Sequence, residues 1–348
     1  TDYETRGYWS AFTGDKFWMA DSGNKYTTYT DEDMIQLLAR INDVTENPAR
    51  PWIVEDFRKG RNQWVDYCNT DWYHELYNDQ HPVTSHSVSI SGGNKDVKYY
   101  ISGGYDRQTG VVKVNPDVFH KYNLRSKLDF KINKYSRLSN NTSFYSSTYD
   151  WIGAGDVEDS FAYASRHALA SFPLKNPDGT WTYGTPMIAG GYNVANGRHI
   201  IFGDGIDKNT KRRTDFSNTT QLTIKPVEQL SIVGNYTYRL YQNRDTGRLY
   251  PLTYRRYPDS ALESYSSGAG LNELTESVAT YVRQSANVFA TYEDTFADAH
   301  HFTLTAGMNA ETYHRKSISA SGQNISTPYL NDLNLIATDA NGQVVTSA

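Results

Sequence analysis

From Val83 onward, apolar and polar positions alternate with a period of two. The clearest run is Lys121 to Ile132, where Tyr122, Leu124, Ser126, Leu128, Phe130 and Ile132 fall on one face. Lys121, Asn123, Arg125, Lys127, Asp129 and Lys131 fall on the other. Such alternation predicts strands whose two faces meet different surroundings. A soluble sandwich satisfies it with a core and bulk water, and a membrane barrel satisfies it with lipid and a wet lumen. Periodicity alone leaves both open. The pattern predicts eight strands, at Val83 to Ser91, Val97 to Tyr105, Lys121 to Ile132, Leu138 to Tyr145, Phe216 to Ile224, Leu230 to Tyr241, Val282 to Tyr292 and Phe302 to Tyr313. Most run about nine to twelve residues, beyond the usual five or six of globular sheets and sufficient to cross a bilayer when tilted.

The connections separate by length. Gly92-Gly93-Asn94-Lys95-Asp96, Asn133-Lys134-Tyr135-Ser136 and Lys225-Pro226-Val227-Glu228 read as tight polar turns, and Glu293 to His301 as a slightly longer one. Between them lie long loops from Asp106 to His120, Ser146 to Asp215, Gln242 to Tyr281, and from His314 onward. Short turns at one end and long loops at the other is the habit of outer-membrane barrels. A soluble sandwich has no reason to segregate its loops in this way. Ahead of the strands, Asp31-Glu32-Asp33 before Met34, Ile35, Leu37, Leu38 and Ile41 predicts an acid-capped amphipathic helix ended by Asn47-Pro48.

Composition agrees with a wall that needs no large dry core. The apolar set is 38% of 348 residues and includes 28 Tyr against 13 Phe, so much of the aromatic surface carries a hydroxyl. A net charge of -5 gives no basic footprint for nucleic acid. No apolar run approaches the roughly 18 residues of a membrane helix, which excludes a helical membrane protein and says nothing against a barrel. Thr1 to Arg6 lack a signal peptide's basic and apolar regions, so the chain is expected to be a mature or internal piece. The single cysteine, Cys68, permits no intrachain disulfide and is expected to be buried and inert.

Several ordered segments carry a family resemblance. Asn69-Thr70-Asp71-Trp72-Tyr73-His74-Glu75-Leu76 resembles a characteristic segment of SusC-like TonB-dependent outer-membrane transporters. His86-Ser87-Val88-Ser89-Ile90-Ser91-Gly92-Gly93-Asn94, Tyr99 to Tyr105, Gln108-Thr109-Gly110-Val111-Val112 and Tyr122 to Asp129 follow in the family's order and spacing. Tyr292 to Phe296, with His300-His301-Phe302 and Ala306-Gly307-Met308-Asn309, is similar to a later hairpin. The resemblance implies an all-β, antiparallel transmembrane barrel of about 22 strands, of which this chain supplies about eight. It implies residues 1–82 as the first long extracellular loop, partly helical, and 83–313 as barrel strands with short periplasmic turns and long extracellular loops. Residues 314–348 would begin the next loop, and the plug and TonB-binding segment would lie outside this chain. The implied function is TonB-dependent import of oligosaccharides through the outer membrane of a Gram-negative bacterium. A SusD-like lipoprotein, TonB, the oligosaccharide ligand and outer-membrane lipid are its implied partners. Oligopeptide import by a related transporter, and a surface glycan-binding or adhesion β-protein, stand as alternatives.

Candidate chemistry is sparse. His300-His301 with Asp298 and Glu293, and Asp204 to Asn209, lack the spacing of zinc or calcium sites, so neither metal nor cofactor is expected. Asp156, Glu158 and Asp159 form an acidic group with no second constellation to make it a glycosidase pair, and no enzyme is expected. The loop aromatics are the better candidates. Trp151, Trp181, Tyr183 and Tyr192, with Asp156 and Arg198, pair flat faces for sugar rings with planar polar groups for hydroxyls. Packing of the loop on itself is the competing account of the same aromatics.

Overall fold

The computed structural model describes residues 27–152, 168–189, 193–204, 208–265, 272–297, 299–325, 327 and 330–336. Its main feature is an eight-stranded antiparallel sheet. The strands are β3 (Val83–Gly93), β4 (Val97–Thr109), β5 (Val118–Lys131), β6 (Ser136–Ile152), β7 (Lys208–Val227), β8 (Leu230–Leu249), β11 (Glu273–Phe296) and β12 (His300–Gln323). They follow one another across the sheet in chain order, with β3 and β12 at the edges. Residues before β3 add α1 (Asp31–Ala39), a hairpin of β1 (Ile53–Arg58) and β2 (Arg61–Asp66), and α2 (Trp72–Leu76). The long connections carry α3 (Arg198–Asp204) and a small hairpin of β9 (Leu252–Tyr254) and β10 (Glu263–Tyr265).

Register carries the alternation across the whole sheet. One row joins Val88, Gly103, Leu124, Phe144, Phe216, Leu240 and Val282. On the opposite face, Ser102, Arg125, Ser143, Ser217, Arg239, Arg283 and Tyr313 form another. The first face is apolar yet exposed, with Val88 74%, Leu124 49% and Met308 71% accessible. A sheet in water would hide such side chains, whereas lipid solvates them. Asn140, Thr142, Asn218 and Thr220 interrupt this face and satisfy one another. Asn218 donates to Thr142 Oγ1 at 2.7 Å and Asn140 to Thr220 Oγ1 at 2.9 Å. The polar face carries ion pairs, among them Arg239 with Asp215 and Arg283 with Glu311.

The tight turns close by local chemistry. Asn94 Oδ1 accepts from the N–H groups of Asp96 and Val97, and Asn133 Oδ1 accepts from Tyr135 and Ser136. Gly93, at φ +146°, leaves no room for a side chain, because a Cβ would lie 2.2 Å from the Val97 carbonyl oxygen.

Several strands run further toward the long-loop end than alternation predicts. Instead of stopping at Tyr145, β6 reaches Ile152, and β7 begins at Lys208, within a charged run read as loop. The extended hairpin of β11 and β12 pairs Glu273 with Gln323, so the segment from His314, expected to open a loop, continues as strand to Gln323. Ladder hydrogen bonds do not require alternating side chains, and above an apolar belt both faces meet water. The helix at Asp31 is present but ends at Ala39, well before Asn47-Pro48, and it exposes Ile35 and Leu38 while burying Leu37. The β1–β2 hairpin was not foreseen.

The hydrophobic core lies outside the sheet's membrane-length middle. Tyr29, Val65, Trp72, Leu76, Val112, Phe172, Met187, Ile200, Phe202, Leu252 and Tyr254 belong to one buried cluster. It joins the segment before β3 to the connections β4–β5, β6–β7 and β8–β11, forming a packed loop body at the long-loop end.

Candidate ligand-binding site

The loop body is built around the segment Asn69 to Leu76. Asn69 donates from Nδ2 to the carbonyls of Ile41 and Asp43, fixing the end of the α1 region. Thr70 N–H donates to Ala170 O at 2.9 Å, and Cys68 N–H to Ser171 O at 3.2 Å, which binds the segment to a connection about a hundred residues later. Asp71 caps α2, accepting from the N–H groups of Tyr73 and His74, and its ion pair with His74 draws the Asp71 carboxyl down and the imidazole up. Trp72 is buried and donates from Nε1 to Leu169 O at 2.9 Å. Asn69, Asp71 and Trp72 of this motif therefore have architectural tasks.

An ion pair with a buried carboxylate ties α1 to the hairpin. The Arg58 guanidinium grips Asp33 through both carboxylate oxygens, at 2.8 and 2.7 Å, and Tyr67 Oη donates to the same carboxylate. Thr30 and Asp33 complete a reciprocal capping box. These donors hold the Asp33 carboxyl far below the usual range despite its burial. Asp66 behaves in the opposite way. It is fully buried with one Thr185 hydroxyl donating to Oδ2, Oδ1 has no partner, and its pKa is pushed up to about 7. Cys68 is buried and its thiol is pushed up by burial.

The sequence-proposed ligand residues fall into separate settings. Trp151 stands near the end of β6, stacked on Tyr149 at 5.0 Å, with Lys211 Nζ 6.0 Å from its ring. Tyr183 packs against Tyr254 at 4.8 Å and Tyr265 at 4.5 Å, and its hydroxyl accepts from Asn193. Trp181 is half-buried, with Lys175 Nζ 4.4 Å from its ring centroid. Arg198 opens α3. Asp156 and Tyr192 lie outside the described residues. Of this set, the structure draws together Trp181 and the start of α3, where His199 approaches the Trp181 ring at 6.0 Å.

Two hollows accompany these residues. One, about 510 Å³, lies at the sheet near its short-turn end, where Lys98, Tyr100, Lys127, Asn141 and Gln221 contribute from the polar face. The other, about 460 Å³, lies in the loop body among α2, the β4–β5 connection, Trp181 and α3. Its residues His199 and Phe202 gave no sequence signal, because a histidine in a short His-Ile-Ile-Phe run resembles any core helix. Among the described residues, no three His, Cys, Asp or Glu side chains gather into a metal set.

A curated relative, TonB-dependent receptor P3 of Formosa agariphila, is 34% identical over 124 residues, covering 33% of this chain and 12% of its own length. TonB-dependent receptor P26 of the same organism is 23% identical over 287 residues, covering 81% of this chain and 26% of its own length. The chain is similar in sequence to these TonB-dependent receptors. It spans only 12% to 26% of the length of these two receptors. No family model matches it. Among solved structures, the RagAB peptide transporter superposes with a TM-score of 0.59 at 18% identity, over 81% of this chain and 30% of that one. The open-open state of the RagAB peptide importer gives 0.59 at 18%, over 79% and 28%. The two superpositions show that the chain shares the fold of the corresponding parts of those structures.

Proposed function

We propose that this chain forms part of the wall and loop cap of an outer-membrane importer driven through TonB, with no covalent chemistry of its own. The observation that supports this reading is the registered two-faced sheet, with exposed apolar rows on one side and paired charges on the other. Among the described residues its edge strands β3 and β12 each pair on one side only, and in hydrocarbon such edges need further strands to satisfy their backbone groups. The polar face would line the lumen, and the loop body would stand outside the cell beneath a SusD-like lipoprotein.

Oligosaccharide is the first cargo reading, supported by half-buried Trp181 within a polar loop body. Oligopeptide is the second, favoured by the likeness to the RagAB peptide transporter. Cells expressing the full-length protein should take up one labelled cargo class and stop when the proton-motive force is collapsed. Uptake that persists after uncoupling would refute energised import. Protease added to intact cells should release loop fragments and leave the strands protected, whereas an adhesin would be digested along much of its length.

A further inference from the structure

Two rows of the sheet continue its exposed apolar face toward the long loops, on the same side. The first runs on from Leu124, Phe216 and Leu240 to Tyr105, Tyr122, Thr214, Gln242 and Lys316. The second carries Arg107, His120, Thr148, Arg212 and Arg244. From β3 to β12, neither row holds an Asp or a Glu. Arg107, Arg212, Arg244 and Lys316 are all exposed, and among the described residues none of them is in an ion pair. The next carboxylates on this side, Asp150 and Glu276, stand one row higher, and Asp150 accepts from Thr210 Oγ1 at 2.6 Å. The opposite face of the same strands is arranged differently. There Lys121 pairs with Asp106 at 3.0 Å, Arg283 with Glu311 at 2.7 Å, and Arg239 with Asp215. Charges are paired off on the polar face and gathered with one sign above the apolar face.

Arg212 and Arg244 oppose each other directly across the β7–β8 ladder. Residues so placed have Cβ atoms about 4.5–5.5 Å apart, and like charges there repel. An anion held between the two guanidiniums turns that repulsion into attraction, and phosphate suits them because each planar fork can donate two hydrogen bonds to its oxygens. Position names the source of the phosphate. The arginines stand four residues, or about 14 Å, along their strands from Phe216 and Leu240, the uppermost apolar row of β7 and β8. In the proposed wall that places them beyond the acyl chains and level with lipid headgroups. Tyr105 and Tyr122, with ring centroids 4.9 Å apart, lie in the row between, where barrels carry their aromatic girdle. We propose that Arg212 and Arg244 hold the phosphate of an anionic lipid headgroup in the leaflet at the long-loop end, with Arg107 and Lys316 extending the cationic band toward the two edges of the sheet. The site rests on the wall reading of the sheet, but it requires neither TonB nor cargo.

The test uses the full-length protein in detergent micelles, titrated with dimyristoylphosphatidylglycerol or dimyristoylphosphatidylcholine, with retained lipid read by native mass spectrometry. The two lipids share acyl chains and differ in net charge, and the protein should prefer the anionic one. Arg212→Gln with Arg244→Gln should weaken retention of the anionic lipid about thirtyfold, at about fivefold per arginine, and leave the zwitterionic lipid unchanged. Arg213→Gln, next in the chain but on the other face, should alter neither. Inorganic phosphate should not displace the lipid, because it brings no acyl chains to the apolar rows. All the replaced residues are exposed, and should the double variant nevertheless fail to fold, the comparison of lipids and the phosphate competition still decide. Equal retention of the two lipids, an unchanged affinity in the double variant, the same loss in Arg213→Gln, or displacement by phosphate would each overturn the site. Retention without headgroup preference would remove the site alone, whereas retention of neither lipid would take the wall reading with it.

Discussion

In the eight-stranded sheet, buried side chains among the described residues are confined to the long-loop end, at Ser147, Ile152, Arg248 and Leu274. The loop body beside it buries Trp72, Phe172, Ile200 and Val65 at 2% exposure or less. The sheet holds its shape through ladder hydrogen bonds and leaves its apolar side chains exposed, where lipid would cover them in the proposed barrel wall. The loop body folds as a water-soluble protein does, by hiding apolar area from solvent. In the proposed barrel wall one chain uses two solvents, and the same residue type means different things in each. Leu124 at 49% exposure is well placed in the sheet, whereas Leu38 at 54% on α1 is an apolar side chain standing outside the loop core.

Opposite substitutions should break this contrast in different places. Trp72→Ala removes a buried indole and its hydrogen bond to Leu169, and should cost about 3–5 kcal/mol. The loss should be local. Protease should then cut the loops of the full-length protein in vesicles, while its heat-dependent migration as a folded barrel on gels persists. Simultaneous loss of both would show that loop body and sheet unfold as one. Leu124→Arg should do the reverse, costing about 2–4 kcal/mol when the protein is unfolded by urea from lipid vesicles. In detergent, where headgroups and water reach the side chain, the penalty should shrink. An equal cost in both media would mean that this face does not meet lipid.

A subtler test lies in the loop body's pH dependence. The Asp66 carboxyl loses its proton near 4 when unfolded and near 7 when folded. Between those values the folded state holds a proton that the unfolded state has released, so stability falls as pH rises through this window and stays low above it. Asp66→Asn should flatten that slope and gain about 2 kcal/mol at pH 8, since an amide avoids the buried charge and still leaves a polar group short of partners. His199 acts in the opposite direction. Its lowered pKa means that the unfolded state binds a proton first as pH falls from about 6.5 to about 4, so stability is lost over that range. Limited proteolysis across pH, read on the loop fragments alone, separates the two contributions, because Asp66→Asn removes only the first.

What could be read from the sequence divides along the same line. In the sheet, the eight strands, their alternation and the short turns were legible because two unlike faces impose a period of two on neighbouring residues, and because Asn94 and Asn133 close their turns locally. The upper ends of β6, β7, β11 and β12 were not, since above the apolar belt both faces tolerate polar side chains and only the neighbouring strand's backbone dictates extension. Lys208 to Asp215 looked like loop for this reason.

The candidate site was far less legible. Trp181 could be singled out as an aromatic in a polar loop, but Tyr183 carries the same signature and packs against Tyr254 and Tyr265 instead. Nothing near His199 in the chain announces Leu76 or Val114, which arrive from connections of widely separated strands. The sequence by itself determined the long alternating strands and the split between short turns and long loops, because strand periodicity is a local response to two different surroundings, and its ordered motifs pointed to the receptor family. Only the tertiary structure decided which aromatics pack, which histidine is buried, and that a hollow exists between them, because those properties depend on contacts among residues the chain keeps far apart.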